Sequence, residues 1–109
     1  MCKVCNINIE QSKKINKEIK KLAQKIKKKY NAEVYLYGSF AKKEFHEGSD
    51  IDLIIIGDFE GRMFDRIGKI LELTDLPVEP LVYTRSEFQQ MKKRPNFFIN
   101  YVIKNAKRL

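Results

Sequence analysis

Two carboxylates lie two residues apart in this chain, ten residues after a Gly-Ser pair: the pairs are Gly38-Ser39 and Asp50-x-Asp52. Because side chains two apart on a β-strand project from one face, an extended segment would present both acids together. Neighbouring carboxylates repel unless a cation lies between them, and Mg2+ is commonly held by one or two carboxylates plus phosphate oxygens. The spacing predicts a metal site, although Asp-x-Asp alone also suits a structural loop-and-cap role.

The Gly-Ser pair adds a feature suited to phosphate. Glycine at a strand-to-helix corner allows close approach of the backbone, and the first amides of a helix donate to anions. Ser39 supplies a hydroxyl donor. If the following segment returns Asp50 and Asp52 beside this corner, an anion site faces a pair of metal ligands. That arrangement is typical of phosphoryl transfer, where metal ions and positioning provide most of the rate.

Glu79 is the candidate third acid, lying among apolar residues between Pro77 and Pro80. An ionised carboxylate in apolar surroundings is costly unless it is paired or binds metal. A third carboxylate would help to hold a second ion or would deprotonate an incoming hydroxyl. The alternative is that Glu79 faces solvent from an edge strand.

Apolar segments before and after these residues predict the elements that position them. The branched apolar run at 51–56 is typical of a central strand covered on both faces. The two prolines in residues 77–83 indicate that at least the first half of a third strand lies at a sheet edge or at the beginning of the strand. Strands are predicted at residues 33–37, 51–56 and 77–83, and helices at 12–30, 62–73 and 84–93, with a short polar helix or turn through Glu44 and a last helix after Asn96. This order predicts an α/β (α+β) fold with a small mixed sheet of three to four strands flanked by helices.

Helix boundaries are indicated by a few polar residues. Asp58 is the predicted cap upstream of the second helix, and Thr84-Arg-Ser-Glu87 has the form of a capping box. Pro95 is predicted to stop that helix, and Asn96 to cap the last one.

The charge of the chain is strongly basic, with 22 Lys and Arg against 14 Asp and Glu and a net charge of +8. Nine of the lysines lie in residues 12–30, interleaved with apolar residues at helical spacing. This pattern predicts an amphipathic helix with a solvated lysine face. The alternative is an electrostatic surface for RNA, DNA or an acidic partner.

At 109 residues the chain is expected to form a single domain, 1–109, with a flexible N-terminus at 1–11. Its apolar runs are shorter than the roughly 20 residues that span a bilayer, so no membrane association is expected. The start lacks an apolar secretory region, which favours a cytoplasmic location. Cys2 and Cys5 provide only half of a zinc site, and His46 is expected at a loop surface.

The motif Gly38-Ser39-x10-Asp50-x-Asp52 resembles the signature of the polymerase-beta-type nucleotidyltransferase superfamily. The small size resembles its minimal branch, the antitoxin-type nucleotidyltransferases encoded beside HEPN-domain toxins. The resemblance covers about residues 34–84. It implies that Asp50 and Asp52 bind Mg2+ and that Glu79, matched by strand order, completes a catalytic triad. It further implies ATP as substrate, two Mg2+ ions with nucleotide bound, and transfer of AMP to a hydroxyl, with a tyrosine of the partner toxin as acceptor.

The chain departs from the family pattern at one place. Many minimal members have Arg-Gly where this chain has Lys42-Lys43. A lysine meets phosphate as a point charge and lacks the bidentate geometry of arginine. The residues expected to bind nucleotide are Gly38, Ser39 and, by carry-over from the family, Lys42, for which the alternative is a solvated surface lysine.

Two other functions are compatible with the sequence. The first is a non-catalytic module that neutralises a partner protein or adapts it to nucleic acid through the Lys-rich helix. The second is a template-free transferase acting on RNA ends, which is disfavoured because the chain has no room for a second domain to hold RNA. The aromatic residues Phe97, Phe98 and Tyr101 are interpreted mainly as core, with an oligomer interface as the alternative.

Overall fold

A four-stranded mixed sheet forms the centre of the computed structural model, which describes residues 9–38, 51–94 and 97–109. Helices and strands alternate along most of the chain, and the last strand consists of two residues. The elements are α1 (Ile9–Tyr30), β1 (Glu33–Tyr37), β2 (Ile51–Gly57), α2 (Met63–Leu71), β3 (Val78–Thr84), α3 (Arg85–Lys93), α4 (Phe97–Asn105) and β4 (Lys107–Arg108). No helix within these residues is long and apolar enough to cross a membrane.

The strand order across the sheet is β3-β2-β1-β4. Strand β2 pairs antiparallel with β1 and parallel with β3, and β4 pairs antiparallel with the outer side of β1. The Leu109 amide extends this pairing by donating to the Val34 carbonyl at 2.9 Å. The predicted central position of β2 and the predicted edge position of the proline-containing β3 are both confirmed.

One face of the sheet packs against α1 and α2. Alternate residues of β2, Ile51, Leu53 and Ile55, are 1% exposed or less and belong to this side of the core. They meet the apolar stripe of α1 and the buried face of α2, which contribute Ile19, Leu22, Ala23, Ile26 and Ile70. Helix α1 therefore buries its apolar stripe on the sheet while its lysines cover the outer surface.

The opposite face of the sheet is covered more thinly. Ile54 and Ile56 of β2 form a second cluster with Val102 of α4, and Phe88 of α3 packs against it. Tyrosines from β1 and β3 complete the rim of the cluster. Because β2 is covered on both sides, its sequence is a near-continuous apolar run rather than an alternating one.

A buried arginine ties three elements together. Arg66 of α2 is 7% exposed, and its guanidinium donates to the carbonyls of Gly61 at 3.0 Å and Val82 at 3.2 Å. It also donates to Glu87 Oε1 of α3 at 2.6 Å. These bonds join α2, β3 and α3, and they satisfy a cation that would be costly to bury alone.

Of the helix caps predicted within the described residues, one is confirmed and one is wrong. Thr84 and Glu87 form the predicted capping box: Thr84 Oγ1 accepts from the Glu87 amide, and Glu87 Oε1 accepts from the Thr84 amide. The prediction for Asp58 is wrong, because α2 begins after Arg62, whose amide donates to Asp65. Asp58 instead accepts from Asn31 and forms an ion pair with Arg85 at 3.6 Å.

Other differences concern the chain ends. Helix α1 begins at Ile9, three residues before its predicted start, and β4 was not predicted. The predicted short helix through Glu44, the stop at Pro95 and the cap at Asn96 lie outside the described residues.

Candidate active site

Three polar side chains lie in one row across the sheet, each on a different strand. Tyr37 of β1 is the register partner of Asp52 in β2, and Asp52 is the register partner of Glu79 in β3. Because paired strands lie roughly 5 Å apart and register partners project from the same face, the three side chains are immediate neighbours. The structure therefore brings together two of the three acids that the sequence singled out.

The orientation of this row follows from the pattern of β2. Ile51 and Leu53, on either side of Asp52, enter the core beneath α1. Strand alternation therefore directs Asp52 to the opposite face, which it shares with Ile54 and Ile56. Asp52 is partly exposed and Glu79 is exposed, so both carboxylates are accessible to a ligand.

Gly38 lies directly against Asp52 at the end of β1. Its φ is +76°, a conformation that favours glycine, and a Cβ at this position would overlap Asp52 Oδ2. A side chain here would therefore displace the carboxylate as well as strain the backbone. Glycine is required at this corner by the close approach of an acid, in addition to any contact with phosphate.

Tyr37 is a member of the row that the sequence interpretation missed. Its ring packs edge-to-face against Phe98 of α4, with centroids 5.9 Å apart and planes at 85°. Burial, followed by the negative charge of Asp52, raises the pKa of Tyr37 to about 12, with smaller contributions from Tyr83 and Glu79. The phenol therefore keeps its proton at neutral pH and is a hydrogen-bond donor beside two acids. Its place at the strand end, directly before Gly38, is the signal that could have identified it.

The other predicted site residues lie outside the described part of the chain. These are Asp50, Ser39 and Lys42, together with His46, Cys2 and Cys5. Their roles stay predictions. Of the residues that the structure describes, Gly38, Asp52 and Glu79 are the predicted members that come together.

The paired carboxylates fit a hard divalent cation. Carboxylate oxygens are the ligands that Mg2+ takes from proteins, and it usually keeps waters and phosphate oxygens for the remaining positions. Within the described ranges, no group of three or more His, Cys, Asp and Glu side chains gathers into a metal site. Asp52 and Glu79 would therefore provide a two-acid site there, which leaves positions for the phosphates of a nucleotide.

The lysine face of α1 lies on the other side of the sheet from the acids. All of its lysines except Lys27 are exposed, and the helix packs against the face opposite Asp52. This face therefore suits the solvated surface predicted for it. Binding of nucleic acid through residues 12–30 stays a prediction.

Comparison with known proteins agrees with this architecture. The model of the nucleotidyltransferase domain family matches residues 13–107, so the chain belongs to that family. Its mixed four-stranded sheet and flanking helices are those of the polymerase-beta-like superfamily predicted from the motif. The chain is accordingly a nucleotidyltransferase, whose substrate is a nucleotide.

Two solved structures resemble the chain. A crystal structure of a "putative nucleotidyltransferase" from Sulfolobus solfataricus has a TM-score of 0.63 and 22% identity, covering 92% of this chain and 83% of that one. At this identity the likeness shows the shared fold. A second crystal structure with the same description has 34% identity and a TM-score of 0.48, covering 85% of this chain and 95% of the other. No curated protein sequence matches the chain significantly.

Proposed function

We propose that this nucleotidyltransferase transfers a nucleoside monophosphate, AMP from ATP, to a hydroxyl group in a Mg2+-dependent reaction. The observation that carries the proposal is the register pairing of Asp52 with Glu79 on the accessible face of the sheet. Two carboxylates from neighbouring strands are poorly explained by packing, whereas they suit a cation that binds nucleotide phosphates.

Each residue has a distinct part in the proposed site. Asp52 and Glu79 would hold Mg2+ together with the predicted Asp50, and the bound metal would neutralise charge on the phosphates. Gly38 leaves room for the Asp52 carboxylate. Ser39 and Lys42 would bind the triphosphate, and Tyr37 would donate a hydrogen bond within the row.

The proposed reaction is an in-line displacement. The acceptor oxygen forms a bond to the α-phosphorus while the bond between that phosphorus and the bridging oxygen breaks. Pyrophosphate leaves with the electron pair of the broken bond. The hydroxyl proton passes to a carboxylate of the site, for which Glu79 is the proposed base.

We propose a HEPN-type toxin as the partner and one of its tyrosines as the acceptor, which would make this chain the antitoxin of the pair. The support is the sequence resemblance to the minimal branch and the exposed apolar surface of α4. Phe97 is 95% exposed and Ile103 is 58% exposed, while Phe98 contacts Tyr37 in the acid row. Exposed apolar side chains of this kind are typical of protein interaction sites. The interpretation of Phe97, Phe98 and Tyr101 as mainly core is wrong, because all three residues are exposed.

The direct test uses ATP labelled at the α-phosphate, Mg2+ and the product of the neighbouring gene, which the proposal expects to be a HEPN-type protein. Wild type should transfer label to the partner, and Asp52→Asn and Glu79→Gln should each lose most of the transfer. Asp75→Asn is the charge-matched control, because Asp75 is exposed and lies before β3, outside the acid row.

The same experiment separates catalysis from simple binding. If wild type transfers no label and Asp52→Asn still neutralises the partner, the enzymatic proposal fails. The alternative, a non-catalytic binding module, would then account for the neutralisation. The exposed apolar surface of α4 is the observation that supports this alternative.

A further inference from the structure

A cavity of about 250 Å³ lies on the same face of the sheet as the acids. Its floor is formed by Tyr35 of β1 and Ile54 of β2. Helices α3 and α4 form the walls, with contributions from Phe88, Lys92, Val102 and Ile103. The residues of the acid row do not line this cavity.

The cavity begins next to the acid row. Tyr35 and Ile54 are themselves register partners, and each lies two residues along its strand from Tyr37 and Asp52. At about 3.3 Å per residue, the two rows are separated by roughly 7 Å. A ribose joins a nucleobase to its α-phosphate across a similar span. A nucleotide could therefore place phosphate at Asp52 and its base in the cavity.

The lining suits a flat heteroaromatic group. Tyr35 and Phe88 provide aromatic surface, and Ile54 provides a buried apolar floor. Lys92 lies at the wall with Nζ 5.2 Å from the centroid of the Phe88 ring. A nucleobase offers a face that packs on aromatic and aliphatic side chains and ring atoms that accept hydrogen bonds, for which Lys92 is a donor.

The size of the cavity argues against a whole nucleotide. Pockets for drug-sized ligands have volumes of about 300–1,000 Å³, so this smaller cavity suits a ring system alone. The charged part of the nucleotide would stay outside, at the acids. This division matches the apolar lining of the cavity and the carboxylates of the neighbouring row.

We propose that the cavity between the sheet and helices α3 and α4 binds the base of the nucleoside triphosphate, while its α-phosphate lies at Asp52 and Glu79. This inference rests on the proposed function for the position of the phosphates. It assigns selectivity for the nucleotide to the C-terminal helices, separate from the motif that binds phosphate and metal.

The test compares a nucleotide with a ligand that lacks the base. Calorimetry with Mg2+ would measure the affinity of a non-hydrolysable ATP analogue and of inorganic tripolyphosphate. Ile103→Trp narrows the cavity from a side chain that is 58% exposed, and Lys92→Ala removes the donor from an exposed position. Because both residues have exposed side chains, both variants should fold.

Ile103→Trp should lower the affinity for the ATP analogue about tenfold or more, as expected for loss of base stacking. Lys92→Ala should lower this affinity less. Both variants should bind tripolyphosphate within about twofold of wild type. Matched controls are Phe97→Trp, at an exposed position of the same helix, and Lys93→Ala, beside Lys92. These controls should leave both affinities unchanged.

Three results would overturn the inference. Unchanged affinity for the ATP analogue in Ile103→Trp would show that the base lies elsewhere. An equal loss of affinity for the ATP analogue and for tripolyphosphate would indicate a general disturbance of the site. An unchanged ATP affinity with a raised KM for the acceptor would show that the cavity holds the acceptor instead.

The outcome is independent of turnover. A selective loss of affinity for the ATP analogue would support base binding in the cavity even if wild type transfers no label to any acceptor, in which case the proposed reaction alone fails. Conversely, if Ile103→Trp transfers label and binds the nucleotide with full affinity, the proposed reaction stands and base binding in the cavity is excluded.

Discussion

The carboxylate of Asp52 occupies the space that a side chain at Gly38 would need. This contact joins the end of β1 to the start of β2, the two strands that flank the undescribed residues 39–50. Glycine is therefore required at position 38 for a structural reason, in addition to its proposed role in phosphate binding. The requirement can be separated from the general cost of a substitution at positive φ.

Gly38→Ala should therefore impair activity more than stability. The positive φ costs about 1–2 kcal/mol for an L-residue, and the Asp52 carboxylate must move away from the new methyl group. Displacing a ligand of the proposed metal should reduce transfer by about 10–100-fold. Label transfer and urea unfolding would measure the two effects.

Gly68→Ala is the matched control. Gly68 lies in α2 with open space around its missing side chain, so alanine should leave activity unchanged and stabilise the helix by about 0.5–1 kcal/mol. Full activity in Gly38→Ala would contradict the importance of this contact.

Metal and nucleotide should stabilise the fold together. Mg2+ with an ATP analogue at about 100 times its Kd should add about 2.7 kcal/mol to the free energy of unfolding, which corresponds to several degrees in Tm. Mg2+ alone should give a much smaller shift because the phosphates provide some of its ligands. Differential scanning fluorimetry of wild type and Asp52→Asn would measure both effects, and tight metal binding without nucleotide would argue against the proposed site.

The Arg66–Glu87 pair should make stability dependent on acid pH. The hydrogen bond from Arg66, followed by that from the Thr84 amide, lowers the pKa of Glu87 below its ordinary 4.5. Its stabilising contribution is therefore complete above pH 4.5 and is lost as the pH falls through the lowered value. Glu87→Gln keeps an acceptor for the Thr84 amide but removes the charge that pairs with Arg66.

Glu87→Gln should lower the free energy of unfolding by about 1–2 kcal/mol at pH 7, since the carboxylate is partly screened by solvent. The difference from wild type should shrink below pH 4.5, which urea unfolding over pH 3–7 would show. Glu60→Gln, at an exposed position in the loop before α2, should follow the wild-type profile. A constant difference across this range would exclude the charge as its cause.

Tyr37 should affect stability at alkaline pH in the metal-free protein. Its pKa is raised to about 12 from the ordinary value of 10, mainly by burial and then by Asp52. The contribution of the neutral phenol is therefore complete below pH 10 and is lost as the pH rises through about 12. Tyr37→Phe removes this titration, so its stability should fall less steeply over that range. Tyr101→Phe is the control and should retain the wild-type decline.

Much of the sheet could be predicted because its sequence pattern is local. The alternating segment Glu33–Tyr37 and the apolar run Ile51–Gly57 indicate their strands without reference to the rest of the chain. Strand β4 could not be predicted in this way. Lys107 and Arg108 carry no strand pattern, and they are held by pairing with β1 and by the ion pair between Arg108 and Glu33 at 3.3 Å.

The candidate site was predictable in part for a similar reason. Asp52 was identified from its spacing to Asp50 and to the Gly-Ser pair, and Glu79 from its place among apolar residues, but their pairing depends on the register between β2 and β3. Tyr37 was missed because aromatic residues are common in strands and its proximity to the acids depends on a second register. The cavity could not be predicted, since its floor and walls together come from four separate elements.

The row of Tyr37, Asp52 and Glu79 also links the site to the order in which the chain folds. Two antiparallel strands bring Tyr37 to Asp52, but Glu79 arrives only when β3 pairs in parallel after the connection through α2. Parallel pairing across such a connection is a non-local and comparatively slow event. During refolding, the proposed metal site should therefore become complete only when β3 has paired with β2, so binding of Mg2+ with nucleotide would report the formation of this parallel pairing.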